Sequence, residues 1–249
     1  MSKLKTFITN EVEDYKVLLR SVPSLVMIFF VTAVVLMNLF ANKELVNVSW
    51  LALDCGFLVS WMTFLCMDML TKRFGGKAAA KLSILATGIN LITCSIFYLI
   101  SLIPGNWSQF YNYNESIVND VIDATIGGTW YVLLGSTIAF IVAAVVNSIV
   151  NVSIGKVLKR NNFRTFAVRS YVSTAIGQFV DNFVFAMLVS HVFFGWTTTQ
   201  VIMCSITGAV AELIAEIIFS PIGFRVCRTW EKHNVGDKYL EYRKSLESR

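Results

Sequence analysis

TWYVLLGSTIAFIVAAVVNSIVNV, residues 129–152, runs for 24 residues without one charged side chain. A helix needs about 20 mainly apolar residues to cross the ~30 Å hydrocarbon layer of a bilayer. This segment alone can therefore span lipid. Five further runs are of comparable length: Val22–Ala41, Val48–Leu70, Leu82–Ile103, Tyr171–Phe194 and Gln200–Phe224. All are continuous rather than alternating, which favours helices over the strands of a lipid-facing barrel. Of the 249 residues, 55% are apolar and 15% are charged, against about a quarter charged in a soluble domain. An ordinary soluble enzyme, a disordered chain and a nucleic-acid-binding module are excluded. The expected fold is all-α: a polytopic bundle of six transmembrane helices over residues 22–226, flanked by cytoplasmic segments 1–21 and 227–249.

The formal charge of +5 reads as topology. Twenty of the 21 basic residues fall in the N-terminal segment, the second and fourth loops and the C-terminal tail, leaving Lys43 alone on the other side. Six spans alternate these segments consistently, so both termini are expected in the cytoplasm. The opposite face carries PGNWSQFYNYNESIVNDVID, residues 104–123, whose Trp107, Tyr111 and Tyr113 suit a membrane interface. The expected partner is the lipid bilayer, with no nucleic acid. Residues 1–20 show no signal-peptide pattern. Cys55, Cys66, Cys94, Cys204 and Cys227 make no metal-ligand spacing and read as small apolar fillers.

An ionisable side chain inside a span is costly, and its default reading is functional. In STAIGQFVDNFVF, residues 173–185, steps of three and four put Thr174, Gln178, Asp181 and Asn182 on one helical face. Asp181 lies ten residues after Tyr171, ~15 Å along a helix and near the bilayer midplane. A carboxylate flanked by two amides can accept and donate several hydrogen bonds to a planar polar ligand; interhelical packing is the plainer role for such groups. In SITGAVAELIAEIIFSP, residues 205–221, Glu212 and Glu216 stand one turn apart and repel unless a proton or a cation intervenes. Asp68 and Lys72, four apart in WMTFLCMDMLTKRFGG, can pair along their helix. Asn90, Asn147 and Asn151 add uncharged polar positions, which packing alone can also explain. Together these faces imply a polar cavity within the bundle.

Catalytic patterns are missing. The two histidines, His191 and His233, approach no plausible nucleophile in sequence, and GSTIA at 135–139 is a small-residue helix face. No HExxH, paired-histidine metal site or phosphate loop occurs. No catalytic residue, cofactor or metal ligand is expected.

At these residues the chain resembles the queuosine-precursor transporter family, formerly the vitamin-uptake-transporter family, over roughly residues 50–230. The matching features are DMLTKRFGG with Asp68, Phe74 and Gly75, STIAF with Ser136 and Ala139, and a fifth-helix pattern of Arg169, Ser173, Thr174, Gln178 and Asp181. A proline closing the sixth helix is matched by Pro221. The resemblance implies a compact six-helix importer of deazaguanine bases in the bacterial inner membrane. Asp181, Gln178, Asn182, Thr174, Asn90 and Asn147 would then bind a purine-like base. Asp68, Lys72, Glu212, Glu216 and Arg169 would serve gating, charge compensation or proton coupling.

Many members have glutamate where Lys72 stands and lysine near Glu212, so these two residues are expected to face each other. Many also have Gln and Asp where Ala144 and Asn147 stand. The family is related to the substrate-binding subunits of energy-coupling-factor importers, which makes an ATPase partner the alternative. The first span, with VTAVVLMNLFA, lacks the small-residue stripe of those subunits, so stand-alone operation is favoured, as a monomer or a homo-oligomer.

Overall fold

The computed structural model describes residues 2–105, 107, 116–157 and 163–247. Its helices are α1 (Ser2–Ser21), α2 (Ser24–Phe40), α3 (Phe57–Phe74), α4 (Gly76–Ser101), α5 (Ser116–Gly128), α6 (Trp130–Val157), α7 (Phe163–Phe185), α8 (His191–Phe193), α9 (Thr198–Lys232) and α10 (Asp237–Glu247). A π-helical turn, Ala186–Ser190, joins α7 to α8. Strands β1 (Glu44–Val48) and β2 (Leu51–Asp54) form an antiparallel hairpin in which Val46 faces Leu53 and Val48 faces Leu51.

Four stretches among the described residues are long and apolar enough to cross a membrane: Gly76–Ser101, Ile117–Ala143, Thr174–Phe193 and Thr198–Phe219. A fifth arises if Ile8–Ser21 and Ser24–Phe40, bent by 107°, count as one broken span. The chain is a multi-pass membrane protein. Two of the six expected runs are not among the four. α2 has only 17 residues, and α3 carries Asp68, Lys72 and Arg73 in its last two turns.

Local chemistry explains where the elements break. Pro23 holds an extended ψ of 124° and starts α2, because proline fixes φ and cannot continue α1. The second run was expected to be helical from Val48, but residues 48–54 lie in the hairpin and its turn. Val46, Val48 and Leu51 suit a short strand, and Gln200 Nε2 donates to Asn47 Oδ1 and to the Val48 carbonyl, both at 2.8 Å. The hairpin ends at Asp54, whose carboxylate accepts the amides of Gly56 (2.8 Å) and Phe57 (3.3 Å) and so opens α3. Gly75, at φ +88° and ψ 160°, separates α3 from α4.

The remaining elements add a helix and correct one expectation. The polar stretch before Thr129 contributes a helix of its own, α5, and Trp107 Nε1 donates to Asp123 at 3.2 Å; Tyr111 and Tyr113 lie outside the described residues. Pro221 does not end the last membrane-spanning helix. It sits inside α9, which runs on to Lys232. A proline removes one backbone donor and kinks a helix, yet packing of Cys227 and Trp230 into the core holds the following turns in place.

That core joins α1, α2, α3, α4, α9 and α10 through Leu18, Phe30, Leu70, Phe74, Leu82, Trp230 and Tyr239. Polar ties close the same end. Lys81 donates to Glu11 (2.6 Å) and Asp14, and Arg73 donates to the Val235 carbonyl (2.7 Å) and to Asp237 (2.5 Å). Gly236, at φ +89°, lies against the Phe74 ring, where a Cβ would approach to 2.3 Å. At the other end, Trp196 donates to Glu44, and Ala52, Ala186 and Val201 pack around its ring.

The neighbouring glycines at the α3–α4 junction separate backbone conformation from packing, since neither would place a Cβ within 4 Å of another group. Gly75→Ala is expected to cost about 1–3 kcal/mol, because its dihedrals belong to a region open essentially to glycine alone. Gly76→Ala, inside α4, should be neutral or stabilising by up to about 1 kcal/mol. Thermal unfolding of the purified variants in detergent checks this, and equal losses would contradict it.

Candidate ligand-binding site

The polar face predicted on the fifth span is present on α7. Gln178 is buried, Asp181 and Asn182 follow one turn later, and Thr174 is half-buried one turn before. Asn182 Nδ2 donates to Glu212 Oε2 on α9 at 3.2 Å. The other carboxylate oxygen, Oε1, lies 3.1 Å from Ser60 Oγ on α3. Ser60 also lies 3.1 Å from the Phe57 carbonyl and has one proton to give to either acceptor. Glu212, only 5% exposed, thus links α3, α7 and α9.

Gly208 makes that junction fit. One turn before Glu212 on α9, it would place a Cβ 2.7 Å from Asn182 Nδ2. A side chain there has nowhere to go without moving the amide.

Three nominated residues hold buried polar atoms with no hydrogen-bond partner among the described residues: Asn90 Nδ2 on α4, and Gln178 Oε1 and Asp181 Oδ1 on α7. Asn90 is 1% exposed and Gln178 is 4% exposed. Their remaining chemistry is one pair of N–H donors and two acceptors. Asn182, by contrast, has committed its donor to Glu212.

Asp68, Lys72 and Glu212 line a cavity of about 550 Å³ between α3 and α9. A smaller one of about 270 Å³ shares Trp61, Glu212, Ala215 and Phe219 with it. The Trp61 and Phe219 rings stack at 4.2 Å between centroids, 14° from parallel. Lys72 and Glu212 therefore do reach one cavity, but they do not form an ion pair. Lys72 Nζ sits over the Phe224 ring, 3.8 Å from its centroid, and Glu212 is held by neutral donors. Lys72 does not pair with Asp68 either; its flexible stem carries the ammonium onto the aromatic face, where a cation is attracted by the ring quadrupole. The side chains of Arg169, Asn147 and Glu216 lie outside the described set.

Two residues escaped the sequence reading. Asp54 is buried at the foot of the hairpin, close enough to Glu212 to interact electrostatically, as Asp181 also is. It lies inside the second apolar run, so an ionisable residue in a span was the available signal. Ser190, whose Oγ is buried and unpartnered, belongs to the π-helical turn, and no sequence pattern marks such a turn.

A family model described as "Putative vitamin uptake transporter" matches residues 54–226. No curated protein and no solved structure matches the chain.

The α7–α9 junction makes a specific demand. Gly208→Ala should push Asn182 off Glu212 and cost about 1–3 kcal/mol in thermal unfolding. Asn182→Ala removes the same bond and opens the space, so the double variant should be no worse than the poorer single one. Additive losses would show that the glycine and the amide do not share one contact.

Proposed function

This chain belongs to the family described as "Putative vitamin uptake transporter", and from that premise we propose that it imports a planar, polar, nucleobase-like molecule. Queuosine precursors, the 7-deazaguanine bases or queuine, are the substrates this reading assigns. It places the protein in a bacterial inner membrane as a six-span carrier with no catalytic step.

The observation that carries the reading is the set of unpaired atoms at Asn90, Gln178 and Asp181. Leaving a buried polar atom unpaired costs about 1–3 kcal/mol, and native folds rarely tolerate it without a functional reason. A guanine-like edge offers ring N–H and amino donors beside a carbonyl acceptor. Those donors complement the oxygens of Asp181 and Gln178, and the carbonyl complements the amide of Asn90. Thr174 borders the same face. Asn182 contributes by holding Glu212, so it is a positioning residue here.

The basic-residue distribution supports both termini inside. In a background without native cysteines, Gly105→Cys should react with a membrane-impermeant thiol reagent in intact cells and Ser245→Cys should not. The opposite pattern would reverse the orientation.

Asp181→Asn keeps shape but turns one acceptor into a donor facing the ligand's own donors. Uptake of labelled 7-cyano-7-deazaguanine, in cells unable to make it, should fall by about 2 kcal/mol or more in binding, roughly 30-fold. Wild-type uptake no greater than the empty vector for this base, 7-aminomethyl-7-deazaguanine and queuine would overturn the substrate. Unchanged uptake by Asp181→Asn would overturn the site.

A further inference from the structure

The cavity between α3 and α9 carries two exposed charged side chains, Asp68 and Lys72, at an aromatic wall. Asp68 and Lys72 stand one helical turn apart on its α3 wall. Among the described residues neither takes part in a hydrogen bond or an ion pair, and Lys72 rests only against the Phe224 ring. Around them the wall is aromatic: Trp61, Phe64, Phe219 and Phe224. Its volume of about 550 Å³ falls within the ~300–1,000 Å³ typical of small-ligand sites.

That combination selects its occupant. A lipid chain would cover the rings but leave a carboxylate and an ammonium facing hydrocarbon, which is strongly unfavourable. A flat heteroaromatic ring instead lays its face on Trp61 or Phe219 and presents its edge to α3. On that edge, adjacent ring N–H and amino groups match the two oxygens of a carboxylate. A neighbouring carbonyl oxygen matches an ammonium.

We propose that this cavity is a second binding station for the transported ring, in which Asp68 accepts from its N–H edge, Lys72 donates to its carbonyl and Trp61 with Phe219 provides the stacking surface. The inference rests on the importer reading above and adds a place on the route. Glu212 joins the two stations, since it lines the cavity and is bonded to Asn182 beside Asp181. The cavity extends to Arg225 and Cys227, toward the basic end of α9, which is the cytoplasmic end in the proposed topology. The stacked Trp61–Phe219 pair borders both cavities.

The test measures equilibrium binding of 7-deazaguanine and 7-deazahypoxanthine to the purified full-length protein; the second base lacks the amino group. Wild type should prefer 7-deazaguanine by about ten-fold, the value of one good charge-assisted hydrogen bond. In an Asp181→Asn background, which disables the first station, Asp68→Asn should shrink that preference to about two-fold, while Lys72→Met weakens both bases alike. Trp61→Ala should weaken both bases, and Trp61→Phe should restore them. A preference unchanged by Asp68→Asn in that background, with Trp61→Ala also binding like wild type, overturns the second station. If Asp181→Asn alone abolishes binding in that set, the importer reading survives and only the cavity assignment falls. Wild type that binds neither base overturns both. Should Asp68→Asn fail to fold, the Trp61→Ala and Trp61→Phe pair decides.

Discussion

The hydrogen bonds that hold Glu212 set the terms for the rest of the bundle. Lipid supplies no hydrogen-bond partner, so a carboxylate placed within a span must be satisfied by protein. Here the partners are neutral, Asn182 from α7 and Ser60 from α3. Removing either leaves the carboxylate less well paired in a low-dielectric setting, where the penalty is steep. Three helices are therefore fixed relative to one another by one side chain. Gly208, by presenting no side chain to Asn182, is the steric condition for that contact.

Polar groups at the two ends of the bundle tie one element to another, while three residues along its spans keep unpaired atoms. At one end Lys81 binds Glu11 and Asp14, and Arg73 ties the turn before α10 to α3. At the other, Gln200 and Trp196 hold the hairpin through Asn47, Val48 and Glu44. Between them Asn90, Gln178 and Asp181 keep unused valences. A carrier needs this division, because interactions made only with the cargo must be absent without it.

The sequence exposes some of this plainly. The long apolar runs of α4, α6, α7 and α9 are legible from hydropathy alone, and the steps of three and four that put Gln178, Asp181 and Asn182 on one face are properties of any helix. The hairpin was hidden because residues 48–53 are mainly apolar and read equally as helix or strand, while Gln200, which bonds the turn, lies far along the chain. Pro221 misled because proline ends helices locally, whereas packing around Cys227 and Trp230 is a tertiary effect. The family resemblance, with these two charges exchanged, suggested that Lys72 and Glu212 face each other. Sequence cannot register that Phe224 offers the lysine an aromatic face while Asn182 and Ser60 satisfy the glutamate.

The central claim is that unpaired polar atoms on α4 and α7 exist to bind a flat, hydrogen-bonding ring. Equilibrium dialysis of purified wild-type protein against radiolabelled 7-cyano-7-deazaguanine tests it most directly. Binding should saturate and be displaced by unlabelled 7-deazaguanine but not by 7-deazaadenine, whose edge reverses the donors and acceptors facing Asp181. Binding that never saturates, or displacement by both bases equally, would contradict it.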